Sequence, residues 1–260
     1  MLPHTLRCAG PKRRKWAMAV GATHSFTPSK IAPAGCPPTH YTANHLGAMG
    51  QKFVIPKTGT YRFRAVAMQA SNGYGAYVIQ GDMVMQEGDI LMIVAGNLYQ
   101  AQSTINGQGG DMTACGVYRP GTGVGIYNNW EPIVVSGGAG GGSSDMFSNV
   151  VHTETTGPSS GGAGSVDGDG GAGWLTRSNP RNGGTRGFPF VEGYGGGGAI
   201  GVDGDGDGAT GGGGGWQGGS GSTSLGYGGS NCLSSKTTNK SAAVVREATA
   251  TPYVQITFLG

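Results

Sequence analysis

One short segment matches a motif of nucleophilic hydrolases, enzymes that attack a carbonyl carbon with an activated serine. Residues 157–161, GPSSG, fit the pattern Gly-x-Ser-x-Gly, which places the serine on a sharp turn between a strand and a helix. No strand pattern precedes this segment, no helix pattern follows it, and the nearby His152 lies upstream of Ser159. In a chain with 55 glycines the match arises by chance. We expect no catalytic residue and no enzymatic activity.

Three aspartates separated by glycines could in principle hold calcium. Asp203, Asp205 and Asp207 begin like an EF-hand loop, but that loop needs a bidentate glutamate at its twelfth position, where this chain has a glycine. The stretch VDGDG at 202–206 also occurs at 166–170, an internal repeat with equivalent positions 36 residues apart. A weak calcium site and exposed loop carboxylates both remain open. We expect the carboxylates, with no metal and no cofactor.

The four cysteines, Cys8, Cys36, Cys115 and Cys232, are widely scattered and include no Cys-x-x-Cys pair. Disulfide frameworks and zinc sites both need denser, patterned spacing. The sequence therefore predicts unlinked thiols, which fits a protein assembled in a reducing cytosol. No stretch approaches the roughly 18 apolar residues of a membrane-spanning helix, and we expect no secretion signal.

Glycine is concentrated in one region, where 36 of the 55 glycines fall between Gly137 and Gly229. Such composition is typical of a flexible linker. The alternative is a bundle of polyglycine II helices, extended helices with three residues per turn and a rise of about 3.1 Å. Packed side by side, their backbone N–H and C=O groups satisfy one another, and only hydrogen fits as a side chain. We expect the bundle, because strand patterns flank this region and aromatic residues interrupt it.

Those aromatic residues have two interpretations. They could cap the hydrophobic ends of the glycine bundle, since buried aromatic side chains bring a large contact area. They could instead lie at loop tips and stack on a sugar or a receptor surface, because rigid aromatic anchors favour adhesion. The candidate receptor-binding residues are Trp174, Phe188, Tyr194, Trp216 and Tyr227.

The segments on either side of the glycine region carry strand patterns. Residues 61–67 alternate, which places Tyr61, Phe63, Ala65 and Ala67 on one face. The continuous apolar run at 90–94 predicts a strand covered on both faces. Further strand patterns occur at 53–55, 77–79, 83–85, 132–135 and 253–258, with turns that use Gly59 and Gly88. The last strand can pair only with the N-terminal ones, so the glycine region must be an insertion between strands of one sheet system.

Residues 1–50 predict an irregular N-terminal arm, because they contain six prolines and show no hydrophobic period. A basic cluster lies within it, formed by Lys12, Arg13, Arg14 and Lys15. Such a run is often simply solvated. The functional alternative is an anchoring peptide that becomes ordered on a partner.

The strand and glycine segments together resemble the glycine-rich domain in the ectodomains of anaplastic lymphoma kinase and leukocyte tyrosine kinase. The resemblance covers residues 51–260 and leaves the first 50 unexplained. The segments that carry it are 53–62 (FVIPKTGTYR), 75–78 (GAYV), 87–91 (EGDIL), 132–138 (PIVVSGG), 171–174 (GAGW), 184–188 (GTRGF), 211–216 (GGGGGW) and 253–256 (YVQI). It implies a β-sandwich with inserted polyglycine helices and no catalytic activity.

The polyglycine construction is also similar to that of the tail-tip adhesins of T-even-like bacteriophages, in which loops between the helices bind host receptors. A chain without a secretion signal, a kinase segment or a membrane span fits a virion protein better than a receptor ectodomain. We therefore expect a tail adhesin or fibre-tip protein in the virion, assembled in the host cytoplasm. The alternative is a purely architectural virion subunit, such as a capsid decoration or tail-joint protein anchored by its arm.

The sequence thus predicts an all-β fold, a jelly-roll-like sandwich with an inserted polyglycine II bundle. Its regions are an arm at 1–50, sandwich strands at 51–136, the insertion at 137–230, and a C-terminal strand within 231–260 that completes the sandwich. The expected partners are other virion proteins, through the arm, and a host surface glycan or outer-membrane protein, with no nucleic acid. A single copy and a homo-oligomer are both compatible with the sequence.

Overall fold

The computed structural model describes residues 18–28, 50–67, 76–96, 111–120, 129–140, 151–152, 171–176, 190–192, 212–221, 226–245 and 251–260. In these residues the chain is all-β, as predicted: eleven strands form two sheets, and one 3₁₀ turn spans Phe190–Glu192. The strands are β1 (Thr23–Phe26), β2 (Gln51–Val54), β3 (Gly59–Val66), β4 (Ala76–Met85), β5 (Ile90–Val94), β6 (Thr113–Tyr118), β7 (Trp130–Ser136), β8 (Val151–His152), β9 (Asn231–Leu233), β10 (Thr238–Val245) and β11 (Tyr253–Phe258).

The first sheet has five antiparallel strands in the order β1-β11-β3-β4-β10. The alternation in β3 is confirmed, since Tyr61, Phe63 and Ala65 are fully buried on its inner face. The C-terminal strand β11 pairs with β3 and with β1. This confirms the prediction that residues 253–258 pair with N-terminal strands.

The second sheet has six strands in the order β2-β5-β6-β7-β9-β8. Its neighbours are antiparallel except β8 and β9, which are parallel. In β5, Leu91 and Ile93 join a hydrophobic cluster on one face, and Met92 and Val94 join a different cluster on the other. The apolar run therefore forms a strand covered on both faces, as its composition predicted.

The two sheets share one hydrophobic core. Its members come from the inner faces of both sheets, and they include Tyr61, Phe63, Ile79, Leu91, Ile93, Cys115, Ile133, Val254, Ile256 and Phe258. The hydroxyl of Tyr61 donates a hydrogen bond to Lys57 O at 2.6 Å, which satisfies the polar atom of this buried ring. Burial also raises the pKa of the Cys115 thiol above its ordinary value.

Glycines shape two of the turns in this core region. Gly88 has φ of 92°, and the N–H of Asp89 donates to Gln86 O at 3.1 Å, which closes the predicted turn. Gly59 is required for a different reason, because a Cβ there would lie 2.6 Å from Cε2 of Phe258. The C-terminal strand therefore packs against backbone at the start of β3.

Three expectations need correction. The arm is not irregular throughout, because β1 lies within residues 1–50 and joins the edge of the first sheet; Pro28 follows this strand rather than interrupting it. Residues 231–260 contain three strands, not one, and these divide between both sheets. The separate apolar stretches at 77–79 and 83–85 are two halves of β4.

Candidate functional site

Four described segments of the glycine region lie between β7 and β9, which are themselves paired antiparallel. We call them the glycine segments: residues 137–140, 171–174, 212–221 and 226–230. The chain leaves the second sheet at the end of β7, contributes the two-residue strand β8 to the edge of that sheet, and pairs with β7 again at β9. The described part of the glycine region is thus inserted between neighbouring strands of one sheet, as the sequence predicted.

Backbone hydrogen bonds join the glycine segments to one another. Gly138 N–H donates to Gly214 O at 2.8 Å, and Gly138 O accepts from Gly229 N–H at 2.9 Å. Gly213 N–H donates to Tyr227 O at 2.9 Å. None of these residues belongs to a strand. Their donors and acceptors are satisfied by neighbouring segments, which is what buried backbone requires.

The segments approach so closely that no side chain fits between them. A Cβ on Gly213 would overlap Gly138 O, one on Gly140 would overlap Gly226 O, and one on Gly212 would overlap Gly219 O. In each case the obstacle is a backbone carbonyl, which cannot rotate away as a side chain can. The choice of glycine at these positions is therefore steric.

Trp174, Phe190 and Trp216 pack together on the outer face of the second sheet. The Trp174 and Phe190 rings are stacked, with centroids 3.9 Å apart, and Trp216 lies 5.8 Å from Trp174. Beneath them a glycine in β6, Gly116, makes room, because a Cβ there would lie 2.9 Å from Cη2 of Trp174. The cluster also contains Met92, Val94, Met112, Ala114, Val135, Val191 and Cys232.

This packing buries two of the predicted receptor-binding residues. Trp174 is only 1% exposed and Trp216 only 4%, so neither ring offers a surface to a receptor. Of the two interpretations of the aromatic residues, their burial favours the structural one for both tryptophans. No sequence pattern distinguished these rings from exposed ones, because their burial depends on the distant strands β5, β6 and β7.

Of the three candidates among the described residues, Tyr227 is the one at the surface, with a fractional exposure of 57%. Its backbone is held on both sides: its N–H donates to Ser220 O at 2.8 Å, and its carbonyl accepts from Gly213. An exposed ring thus projects from fixed backbone. Phe188, Tyr194 and the basic cluster Lys12, Arg13, Arg14 and Lys15 lie outside the described residues, as do Asp203, Asp205 and Asp207.

Two ion pairs involve buried or partly buried carboxylates: Arg62 with Asp82 in the first sheet, and Arg119 with Asp89, which directly precedes β5. Hydrogen bonds from Arg62 at 2.7 and 2.9 Å hold the pKa of Asp82 below its ordinary value, against the opposing effect of burial. For Asp89, burial raises the pKa, but Arg119 and the backbone N–H of Gln86 outweigh it, so the pKa is lowered.

Among the described residues, no group of three or more His, Cys, Asp and Glu side chains could hold a metal ion. In the same part of the chain, no helix is long and apolar enough to cross a membrane. No protein-family model matches this chain, and no curated protein matches it either. Within the described residues, the candidate binding feature is therefore Tyr227, an exposed side chain on the hydrogen-bonded backbone of the glycine segments.

Proposed function

We propose that the glycine segments are polyglycine II helices inserted into a jelly-roll-like β-sandwich. Three observations support this. The segments bond to one another outside any strand, their contacts exclude a Cβ, and the described glycines with positive φ (Gly21, Gly59, Gly88 and Gly260) all lie elsewhere. Negative φ is what the polyproline II conformation requires.

We propose further that the protein is a virion tail adhesin or fibre-tip protein of a bacteriophage, and that it binds a surface glycan or outer-membrane protein of the host. The observation that carries this proposal is Tyr227, an exposed aromatic ring on backbone fixed by hydrogen bonds from both directions. Binding through such a residue loses little backbone entropy, and tyrosine supplies a large amphipathic contact with few rotatable bonds. The resemblance to glycine-built adhesins points the same way.

In this proposal two parts of the chain, the N-terminal arm and the glycine segments, have separate tasks. The N-terminal arm, with the basic cluster at 12–15, attaches the protein to another virion component, and β1 fixes the arm to the edge of the first sheet. The glycine segments present Tyr227 to the host. The position of Tyr227 depends on the close packing of the glycine segments, because alanine in place of glycine at positions such as Gly213 would push the segments apart.

The test is binding of purified, labelled full-length protein to a panel of intact bacteria. We expect saturable binding to at least one strain, reduced by about thirtyfold in Tyr227→Ala, which corresponds to a hot-spot residue. Tyr118→Ala is the matched control, since Tyr118 is an exposed tyrosine in β6, outside the glycine segments. Both variants should retain the circular dichroism of the parent.

Two results would contradict the adhesin proposal. If the parent binds no strain, including the strains that its source infects, the architectural role replaces it. If Tyr118→Ala and Tyr227→Ala weaken binding equally, the attachment does not run through the glycine segments.

A further inference from the structure

Two rows of polar side chains cross the outer face of the first sheet, the face turned away from the shared core. Each row takes one residue from each of the five strands, placed side by side by the strand register. The first row is Thr23, Thr257, Arg62, Asp82 and Thr238. The second row is Ser25, Gln255, Arg64, Gln80 and Ser241.

Side chains of the first row bond to one another and to a neighbour. The hydroxyls of Thr23 and Thr257 lie 2.8 Å apart. Arg62 donates two hydrogen bonds to Asp82, which also accepts one from Asn239 at 2.8 Å. The charge of Arg62 is therefore offset, and this row has few side-chain groups left for a ligand.

The second row has no such internal pairing. Among the described residues, no hydrogen bond or ion pair engages the side chains of its five members. Arg64, at the middle strand, has its guanidinium 5.7 Å from the ring centroid of Tyr253, an arrangement that leaves the N–H donors of the fork available. Arg64, Gln80 and Gln255 are half-buried, while Ser25 and Ser241 are exposed.

This second row combines the groups that recognise an acidic sugar. A guanidinium fork matches a carboxylate with two parallel hydrogen bonds. The flanking glutamine amides each donate and accept, as sugar hydroxyls do, and the Tyr253 ring supplies an apolar surface beside them. Four gaps of roughly 4.8 Å between five strands make the row about 19 Å long, enough for several linked sugar rings.

We propose that the second row is a binding site for a polysaccharide whose sugar rings carry carboxylates. Charge complementarity selects this occupant, because Arg64 is a cation that no described carboxylate offsets, in a row without an acidic residue. A nucleic acid fits less well, since binding along a phosphate backbone depends on several cations and the row contains one. The site is separate from Tyr227, and the inference does not rest on the proposed adhesin function.

The test is the affinity of the full chain for tetragalacturonate, measured by isothermal titration calorimetry beside the methyl-esterified tetramer. We expect esterification of the sugar and Arg64→Gln in the protein each to weaken binding by at least about tenfold. Gln80→Ala should weaken it by about threefold. The matched control is Lys240→Gln, which removes one exposed positive charge from the same sheet outside the row and should change affinity by less than twofold.

Arg64→Gln removes no described hydrogen bond but does remove the contact with the Tyr253 ring, so the variant should lose no more than about 1 kcal/mol of stability and remain folded at the temperature of the titration. The proposal is overturned if the parent fails to bind tetragalacturonate at millimolar concentrations, if it binds the ester equally well, or if Arg64→Gln has no effect. Tighter binding of single-stranded DNA than of tetragalacturonate would also overturn it. Tyr227→Ala should bind the sugar like the parent, so a failed adhesin proposal and a failed sugar site give different results.

Discussion

The core shared by the two sheets and the glycine segments are both tightly packed, but one is packed through side chains and the other through backbone. In the core, large side chains such as Phe63 and Leu91 are buried against one another, and the strand ladders satisfy the backbone. In the glycine segments the backbones themselves are in contact, and hydrogen bonds such as Gly138 N–H to Gly214 O run directly between segments. The large buried side chains of this region are Trp174 and Trp216, and they pack against the outer face of the second sheet.

This difference shows where each region is vulnerable. A side-chain core responds to lost volume, since a cavity remains when a large residue is truncated. A backbone-packed region responds to added volume, because a single methyl group has no space. The junction between the two regions, the cluster around Trp174, should behave like the core, although its aromatic residues Trp174, Phe190 and Trp216 come from the glycine region.

The largest effect is expected at that junction. Trp174→Ala should lower the free energy of unfolding by about 3–5 kcal/mol, the usual range for truncating a buried tryptophan, because it exposes the outer face of the second sheet and removes the partner of Phe190. Chemical denaturation measures it. Val20→Ala, at a side chain that is 71% exposed, should stay within about 0.5 kcal/mol of the parent. A loss below about 1 kcal/mol for Trp174→Ala would mean that the cluster does not hold the two regions together.

Adding one methyl group tests the backbone packing. Gly213→Ala should cost about 3 kcal/mol, the upper end for overpacking, because its Cβ would overlap Gly138 O. Gly88→Ala is the control: its Cβ has open space but φ is 92°, so only the conformational cost of about 1–2 kcal/mol applies. Denaturant unfolding of both variants separates the two causes. A loss for Gly213→Ala no larger than that for Gly88→Ala would contradict the prediction, because the glycine segments would then accommodate the added methyl group with little strain.

A smaller effect concerns acid stability of the first sheet. Because the folded-state pKa of Asp82 is lowered, its contribution is complete above the unfolded value of about 3.9 and is lost as pH falls through the folded pKa. Asp82→Asn should therefore cost about 2 kcal/mol at neutral pH, as for hydrogen bonds to a charged group. The difference from the parent should shrink below about pH 4. Unfolding midpoints measured from pH 2 to 7 test this, and a pH-independent difference would contradict it.

The smallest expected effect is a difference in thiol reactivity between the two regions of the native protein. Cys115 lies in the core between the sheets, whereas Cys232 lies beneath the tryptophans on the outer face. If the glycine segments open before the sheets separate, Cys232 should react with a thiol reagent about tenfold faster, a difference of about 1.4 kcal/mol. Mass spectrometry of a variant with Cys8 and Cys36 changed to serine measures both rates. Equal rates would indicate that the two regions open as one unit.

Much of the fold followed from local sequence patterns. The alternation in β3 and β11 and the apolar run in β5 predicted strands and their buried faces, because each pattern reports on neighbouring residues of one chain segment. The short strands β1 and β8 were not predicted, and neither were β6, β9 and β10. Their sequences, TACGVY, NCL and TNKSAAVV, carry weak patterns, and pairing with distant strands stabilises them.

The candidate site was less predictable than the fold. Tyr227 has a glycine on each side and Trp216 directly follows glycine in the sequence, yet Tyr227 is exposed and Trp216 is buried. The difference arises because Trp216 meets the outer face of the second sheet, which is built from strands far away in the chain.

Arg62 and Arg64 show most directly which features the sequence determines and which depend on the tertiary structure. The sequence by itself placed both on one face of β3, because side chains two residues apart in a strand share a face, and it concentrated the glycines where backbones touch. Only the tertiary structure set Asp82 opposite Arg62 and Gln80 opposite Arg64. Cross-strand neighbours depend on the register between segments that the chain brings together. That register offsets one positive charge and leaves the other for a ligand.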